Sequence, residues 1–171
     1  MADRLERCFG GSRESPPRLI KKEPSPRVAV EHLEKAESNL LAMELLFQNK
    51  FFDWAIVASY YSMYHAALAA LWLIGIDARS HECAVLAFEK FYAKKGHVDG
   101  KYLEYLQRAK ELGEAYAYTL EKVRTLRVQA SYGIGEIKSA EASFARSRAK
   151  EFVAAVRKII YEAKGMGYQK A

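Results

Sequence analysis

Three observations on the sequence predict an all-α fold, an up-and-down antiparallel bundle of about five helices. Apolar residues recur in steps of three and four over long stretches. The joints between those stretches are short and carry Ser, Gly or Pro. No run alternates apolar and polar residues as a half-buried strand would. A chain of 171 residues suggests one domain, with enough length to bury a core without staples.

Residues 1–27 read as a basic, Pro-rich N-terminal arm, flexible or docked on a partner. Residues 28–171 read as the bundle domain. All four prolines fall in the arm, and its seven Arg and Lys outnumber four Asp and Glu. Pro16-Pro17, Pro24 and Pro26 forbid a continuous helix there. Such an arm is either loosely docked or folds on a protein or RNA partner.

Ser25-Pro26 starts the first long helix, with Ser as N-cap and Pro at the first helical position. The helix runs to about Asn49. Its stripe is Ala29, Leu33, Ala36, Leu40, Met43 and Phe47, with Glu31, Lys35 and Asn39 opposite. His32 sits beside the stripe as a boundary residue.

Phe51 to Ile76 is the second helix and the centre of the bundle. From Ala55 to Ile76 it holds no Asp, Glu, Lys or Arg, and at about 1.5 Å per residue it would run roughly 35–40 Å. That length formally suits a membrane span. Tyr60, Tyr61, Tyr64, two Ser and His65 argue instead for a bundle core, because each would lack a partner in lipid. Trp54, Ala58, Tyr61, His65, Leu68 and Trp72 form one aromatic row. His65 reads as a core histidine bonded to a Tyr or Ser hydroxyl.

Gly75 and Ile76-Asp77-Ala78 read as a turn. Ser80 then caps a third helix, His81 to Lys95, which Lys94-Lys95-Gly96 terminates. His81 would contact that helix end or the groove beside it. The fourth helix runs from Lys101 to about Tyr132 along Leu106, Ala109, Leu112, Tyr116, Leu120 and Val123, and Gly133 and Gly135 end it. The last spans about Lys138 to Lys164 on the stripe Ala145, Ala149, Phe152, Val156, Ile159, Ala163. Arg146, Lys150, Arg157 and Lys158 lie off that stripe and read as solvated.

The net charge of +6 favours acidic partners, nucleic acid first among them. Cys8 and Cys83 have no metal spacing, and no secretory signal opens the chain. Together these suggest a cytoplasmic protein with free thiols. Gly-rich phosphate loops, HExxH, CxxC, GxSxG and inward Glu-x-x-His pairs are all absent. Kinase, hydrolase and metalloenzyme classes therefore fit poorly, and no metal or cofactor is expected.

One position breaks the apolar pattern. On the fourth helix the stripe places Arg127 where a core residue belongs, between Val123 and Ala130. An Arg there must find an acceptor, since burying it unpaired costs several kcal/mol. It can pair with a carboxylate such as Glu121 or Glu136. It can also hold a phosphate bidentately, with Ser131 and Tyr132 beside it and Tyr stacking or donating a hydrogen bond.

FFDWAIVASYYSMYHAALAAL, then RSHECAVLAFEKFYAKKG, then LRVQASYG resemble the HEPN superfamily (higher eukaryotes and prokaryotes nucleotide-binding domain). The nearest likeness is to its small prokaryotic UPF0332-type branch, over residues 28–164. The resemblance implies an all-α homodimer, often paired with a minimal nucleotidyltransferase in a toxin–antitoxin system and in several members a metal-independent ribonuclease. It implies catalytic roles for Arg127 and Tyr132, and nucleotide or RNA binding by Arg124, Arg127, Ser131 and Tyr132. Two slots of the family's ribonuclease motif differ here: Val128 stands at the polar position and Tyr132 at the His. With a reference pKa of about 10, Tyr is a poor base at neutral pH. The resemblance thus implies either a ribonuclease or a non-catalytic module that binds a nucleotidyltransferase.

Overall fold

The computed structural model describes residues 2–11, 16–104 and 139–165. Its described elements are α1 (Ala2–Phe9), β1 (Leu19–Lys21), α2 (Pro26–Gln48), α3 (Phe52–Leu73), β2 (Ile76–Ala78), α4 (His81–Phe88) and α5 (Ser139–Gly165). Three of them, α2, α3 and α5, pack on one another and make the bundle. Residues 101–104 open the expected fourth helix, and its remainder lies outside the described residues.

Ser25 caps α2 as its sequence predicts, accepting the Val28 N–H at 3.3 Å, with Pro26 in the first helical turn. Ala29, Leu33, Ala36 and Met43 of the stripe are buried, and Leu40 and Phe47 are partly so. The central helix is shorter than its apolar run. It ends at Leu73, and Gly75 turns the chain with φ +70°. That conformation suits glycine, and a Cβ there would also sit 2.1 Å from the Lys22 carbonyl oxygen. No described helix is long and apolar enough to cross a membrane.

The buried face of α3 is made largely of small residues. Ala55, Ser59, Ser62, Ala66, Ala67, Ala69 and Ala70 are fully buried, which lets neighbouring helices approach closely. Ser59 Oγ donates to the Ala55 carbonyl at 2.8 Å and Ser62 Oγ to the Ser59 carbonyl at 2.7 Å. Both buried hydroxyls are thereby satisfied within the helix, as burial requires. The aromatic row sits at the edge of this face: Trp54 and Tyr61 are 48% and 43% exposed, while Ala58 and Leu68 are buried.

Four expectations need correction. First, a short antiparallel sheet exists, pairing Leu19 with Ala78, Ile20 with Asp77 and Lys21 with Ile76. Strands of three residues are too short to show alternation. Second, the N-terminal arm docks on its own chain through α1 and β1, where Leu19 is only 1% exposed. Its prolines fall after the α1 helix and so do not interrupt it. Third, Cys8 and Cys83 are not free thiols but form a disulfide, which removes the thiol argument for a reducing compartment. Fourth, Arg146 and Arg157 are not simply solvated. Arg146 grips Glu44 bidentately at 2.8–3.0 Å, and Arg157 meets Glu37 at 2.8 Å, each tying α5 to α2.

The third helix also changes character. After Phe88 it widens into a π turn over Glu89–Ala93, with the Lys94 N–H reaching the Glu89 carbonyl at 2.9 Å. Such turns are rare inside helices. Gly96, φ +74°, follows it, where the sequence places the stop.

Candidate functional site

Arg124, Arg127, Ser131 and Tyr132 lie outside the described residues. What the described residues bring together is a cluster of histidines and tyrosines at the junction of α2, α3, β2 and α4.

α3 builds most of it by helical spacing. Tyr60 and Tyr64 are four residues apart, as are Tyr61 and His65, so each pair shares a face. The Tyr60 and Tyr64 rings lie 6.1 Å apart at 19°. β2 then returns the chain along α3, and His81 at the start of α4 lands on these rings. Its imidazole stacks on Tyr64 with centroids 3.9 Å apart and planes at 8°. Its Nδ1 is hydrogen-bonded to the Tyr60 hydroxyl. Tyr61 meets the same imidazole edge-on at 6.3 Å and remains exposed on its other side.

α2 adds His32. Its Nδ1 lies 3.2 Å from the Nδ1 of His65, with ring centroids 5.4 Å apart. Two facing nitrogens at that distance need one proton between them, so one ring donates and the other accepts. A second proton between them would make one ring a cation and set two N–H groups against each other. Burial pushes His65 down to about 4, aided by His32, Lys35 and His81. Burial also lowers His32, against an upward pull from Glu31 and Asp77. Tyr64 is raised by burial first, then by Tyr61 and Asp77. The pair is therefore neutral near pH 7, able to exchange hydrogen bonds but carrying no charge.

Chemically, this arrangement offers one exposed aromatic face, Tyr61, above half-buried imidazoles. Such a surface can stack on a base and exchange hydrogen bonds with a polar edge. Among the described residues, no group of three His, Cys, Asp or Glu side chains is placed to hold a metal ion.

The sequence places these residues near one another only in part. His65 faces His32, not a Tyr or Ser hydroxyl. His81 closes on the α3 tyrosines. The four-residue steps Tyr60/Tyr64 and Tyr61/His65 are visible in the sequence, but the rotation of α2 against α3 that pairs the two histidines is not.

The sequence model of the HEPN domain matches residues 29–160. The chain is 26% identical over 130 residues to "Putative toxin MJ0605" of Methanocaldococcus jannaschii, covering 76% of this chain and 87% of that protein. It is 33% identical over 85 residues to "UPF0332 protein PH1297" of Pyrococcus horikoshii, covering 50% and 60%. "Putative toxin MJ0142" of M. jannaschii is 34% identical over 77 residues, covering 45% and 52%. The aligned segments thus span between about half and most of these relatives. With the family match running from the start of α2 to the body of α5, the chain belongs to the HEPN domain family.

Proposed function

We propose that this chain is the toxin-like HEPN component of a two-component system and binds RNA or a nucleotide through Arg127, with Arg124, Ser131 and Tyr132 beside it. The observation that carries this reading is the HEPN match over residues 29–160, which includes that segment. Two relatives named as toxins support it. A homodimer and a minimal nucleotidyltransferase partner belong to the same reading.

If the chain cleaves RNA, a ribose 2′-oxygen attacks the adjacent phosphorus as its proton leaves. The bond to the 5′-oxygen breaks and that oxygen takes up a proton, giving a cyclic phosphate and a free 5′-hydroxyl. Arg127 stabilises the charge that builds on the phosphorane, the larger catalytic contribution in such a site. Tyr132 orients the phosphate.

The test is cleavage of single-stranded RNA in EDTA by the wild type and by Arg127→Ala. A fall of at least about 100-fold in the variant, the scale of losing one donor to a developing anion, is expected. Equal activity in both proteins overturns the nuclease reading. Val128 and Tyr132 in the motif favour a second reading, a non-catalytic module that restrains or presents substrate to the nucleotidyltransferase. No cleavage by either protein, with RNA binding lost in Arg127→Ala, selects that reading.

A further inference from the structure

The turn that carries His81 is held from one side by the N-terminal segment. Leu19 of β1 pairs with Ala78 of β2. The Arg79 N–H donates to the Arg18 carbonyl at 2.8 Å. Glu82 accepts from Arg4 at 2.5 Å, and Cys83 is bonded to Cys8 of α1. Residues 78, 79, 82 and 83 are thus tied to residues 4–19, with His81 between them. On its other side the His81 imidazole meets α3, stacked on Tyr64 with centroids 3.9 Å apart and hydrogen-bonded to Tyr60. The N-terminal segment therefore acts on the histidine–tyrosine cluster through the backbone of residues 78–83.

These links are unequal. The Arg4 and Glu82 side chains are 59% and 49% exposed, and ion pairs so exposed contribute little. The strands are three residues long. The disulfide is covalent and closes a ring over a sequence separation of 75, which limits the disorder open to the segment. It is also the link that a thiol breaks. Cys8 lines a cavity of about 230 Å³, which brings solvent to that end of the bond. Cys8 also precedes residue 29, where the HEPN match begins, so one half of the link lies outside the matched domain.

We propose that the Cys8–Cys83 disulfide is a redox latch that sets the position of His81 in the histidine–tyrosine cluster. Reduction by a dithiol breaks the Sγ–Sγ bond. The dithiol gives up two electrons and two protons, closes to its own disulfide and leaves Cys8 and Cys83 as thiols. The segment is then left to the short strands, the Arg4–Glu82 pair and the apolar contacts of Leu5, Phe9 and Leu19, and the first turn of α4 is free to shift. The His81 ring leaves the Tyr64 face, and its edge-on contact with Tyr61 changes with it. The His32–His65 contact is made between α2 and α3 and stays. The latch acts on this cluster and is independent of any role of Arg127.

The test is NMR of the imidazole C–H groups in the full chain, first oxidised and then reduced with dithiothreitol, with His81→Gln to assign the His81 signals. In the oxidised protein the Tyr64 ring current should displace the His81 signals upfield. Reduction should remove most of that displacement and leave the His32 signals in place, and reoxidation should restore the first spectrum. Cys8→Ser/Cys83→Ser should show the reduced spectrum without reductant and should not respond to it. Identical His81 signals in oxidised and reduced wild type overturn the proposal. Joint movement of the His32 and His81 signals also overturns it, because reduction has then loosened the bundle and not a local latch. Failure of Cys8 and Cys83 to join under oxidising conditions, read by mass, does the same. Should the double variant not fold, reduction of the folded wild type decides by the same criteria.

Discussion

The α2–α3–α5 bundle and the N-terminal α1–β1 segment are joined to the molecule by different means. The bundle is held by area. Ala36, Met43, Met63, Leu71, Phe152, Val156 and Ile160 are all buried within one apolar cluster. The N-terminal segment adds Cys8 and Leu19 to the same cluster and relies beyond that on specific links: the disulfide, three-residue strands, and the Arg4–Glu82 pair. Burial of apolar area is broadly distributed and tolerates the loss of any one small contact. A short segment with less buried area depends more on each specific link, and losing one loosens it. The folded bundle and the state of its N-terminal segment are therefore separable properties.

The comparison is broken most severely in the core. Phe152 is fully buried and packs against Phe88 and Tyr102. Phe152→Ala should cost about 3–5 kcal/mol and lower the global midpoint of denaturant unfolding. An unchanged midpoint would show that α5 is not integral to the core.

Removing the disulfide comes next. Cys8→Ser/Cys83→Ser frees a loop of 75 residues in sequence separation, a loss of about 4 kcal/mol in the chain-entropy description. Hydrogen exchange should rise in residues 2–21 well before it rises in α2 and α3. A uniform rise over the whole chain would mean that the two regions are one cooperative unit.

The histidine pair tests the edge of the bundle. His65 is depressed from 6.5 to about 4 in the folded state. As pH falls the unfolded chain takes up this proton first, so the stability linked to it is complete above about pH 6.5 and is lost progressively towards pH 4. A shift of that size corresponds to roughly 3 kcal/mol in a dry site, and partial exposure reduces it to about 1–2 kcal/mol. His65→Gln should flatten the stability–pH curve in that window. An unchanged slope would assign it to other groups.

The smallest effect is expected from Glu44. It receives Arg146 bidentately and Lys150, and Arg146 also lies over the Phe47 ring. Glu44→Gln should cost under about 1 kcal/mol, as partly exposed pairs do, and less still at high salt. A larger loss would show that the pair sets the angle of α5 on α2.

Much of the bundle is legible in the sequence because its signals are local. Ser25-Pro26, the α2 stripe, the Gly96 stop and the Phe152–Val156 face each involve residues a few positions apart. What the sequence hides depends on distant partners. The pairing of Cys8 with Cys83 needs α1 folded onto α4. The strands around Ile20 and Asp77 are recognisable only as a pair. The contact between His32 and His65 depends on helix phase. For the candidate site, the tyrosine spacing on α3 is visible in the sequence but its closure by His81 is not. The Arg127 segment lies outside the described residues, so its reading rests on the sequence and the family.

The Cys8–Cys83 bond also makes the chain a ring with two tails. The ring contains α2 and α3, so a tether pulled at the two termini would transmit no tension into them. With a sequence separation of 75 between the linked cysteines and about 3.3–3.6 Å of extension for each step, roughly 250–270 Å of contour stays hidden from the pulling force until a reductant is added. By the same topology, a single proteolytic cut inside the ring leaves both pieces on one molecule, and they separate on a gel only after reduction.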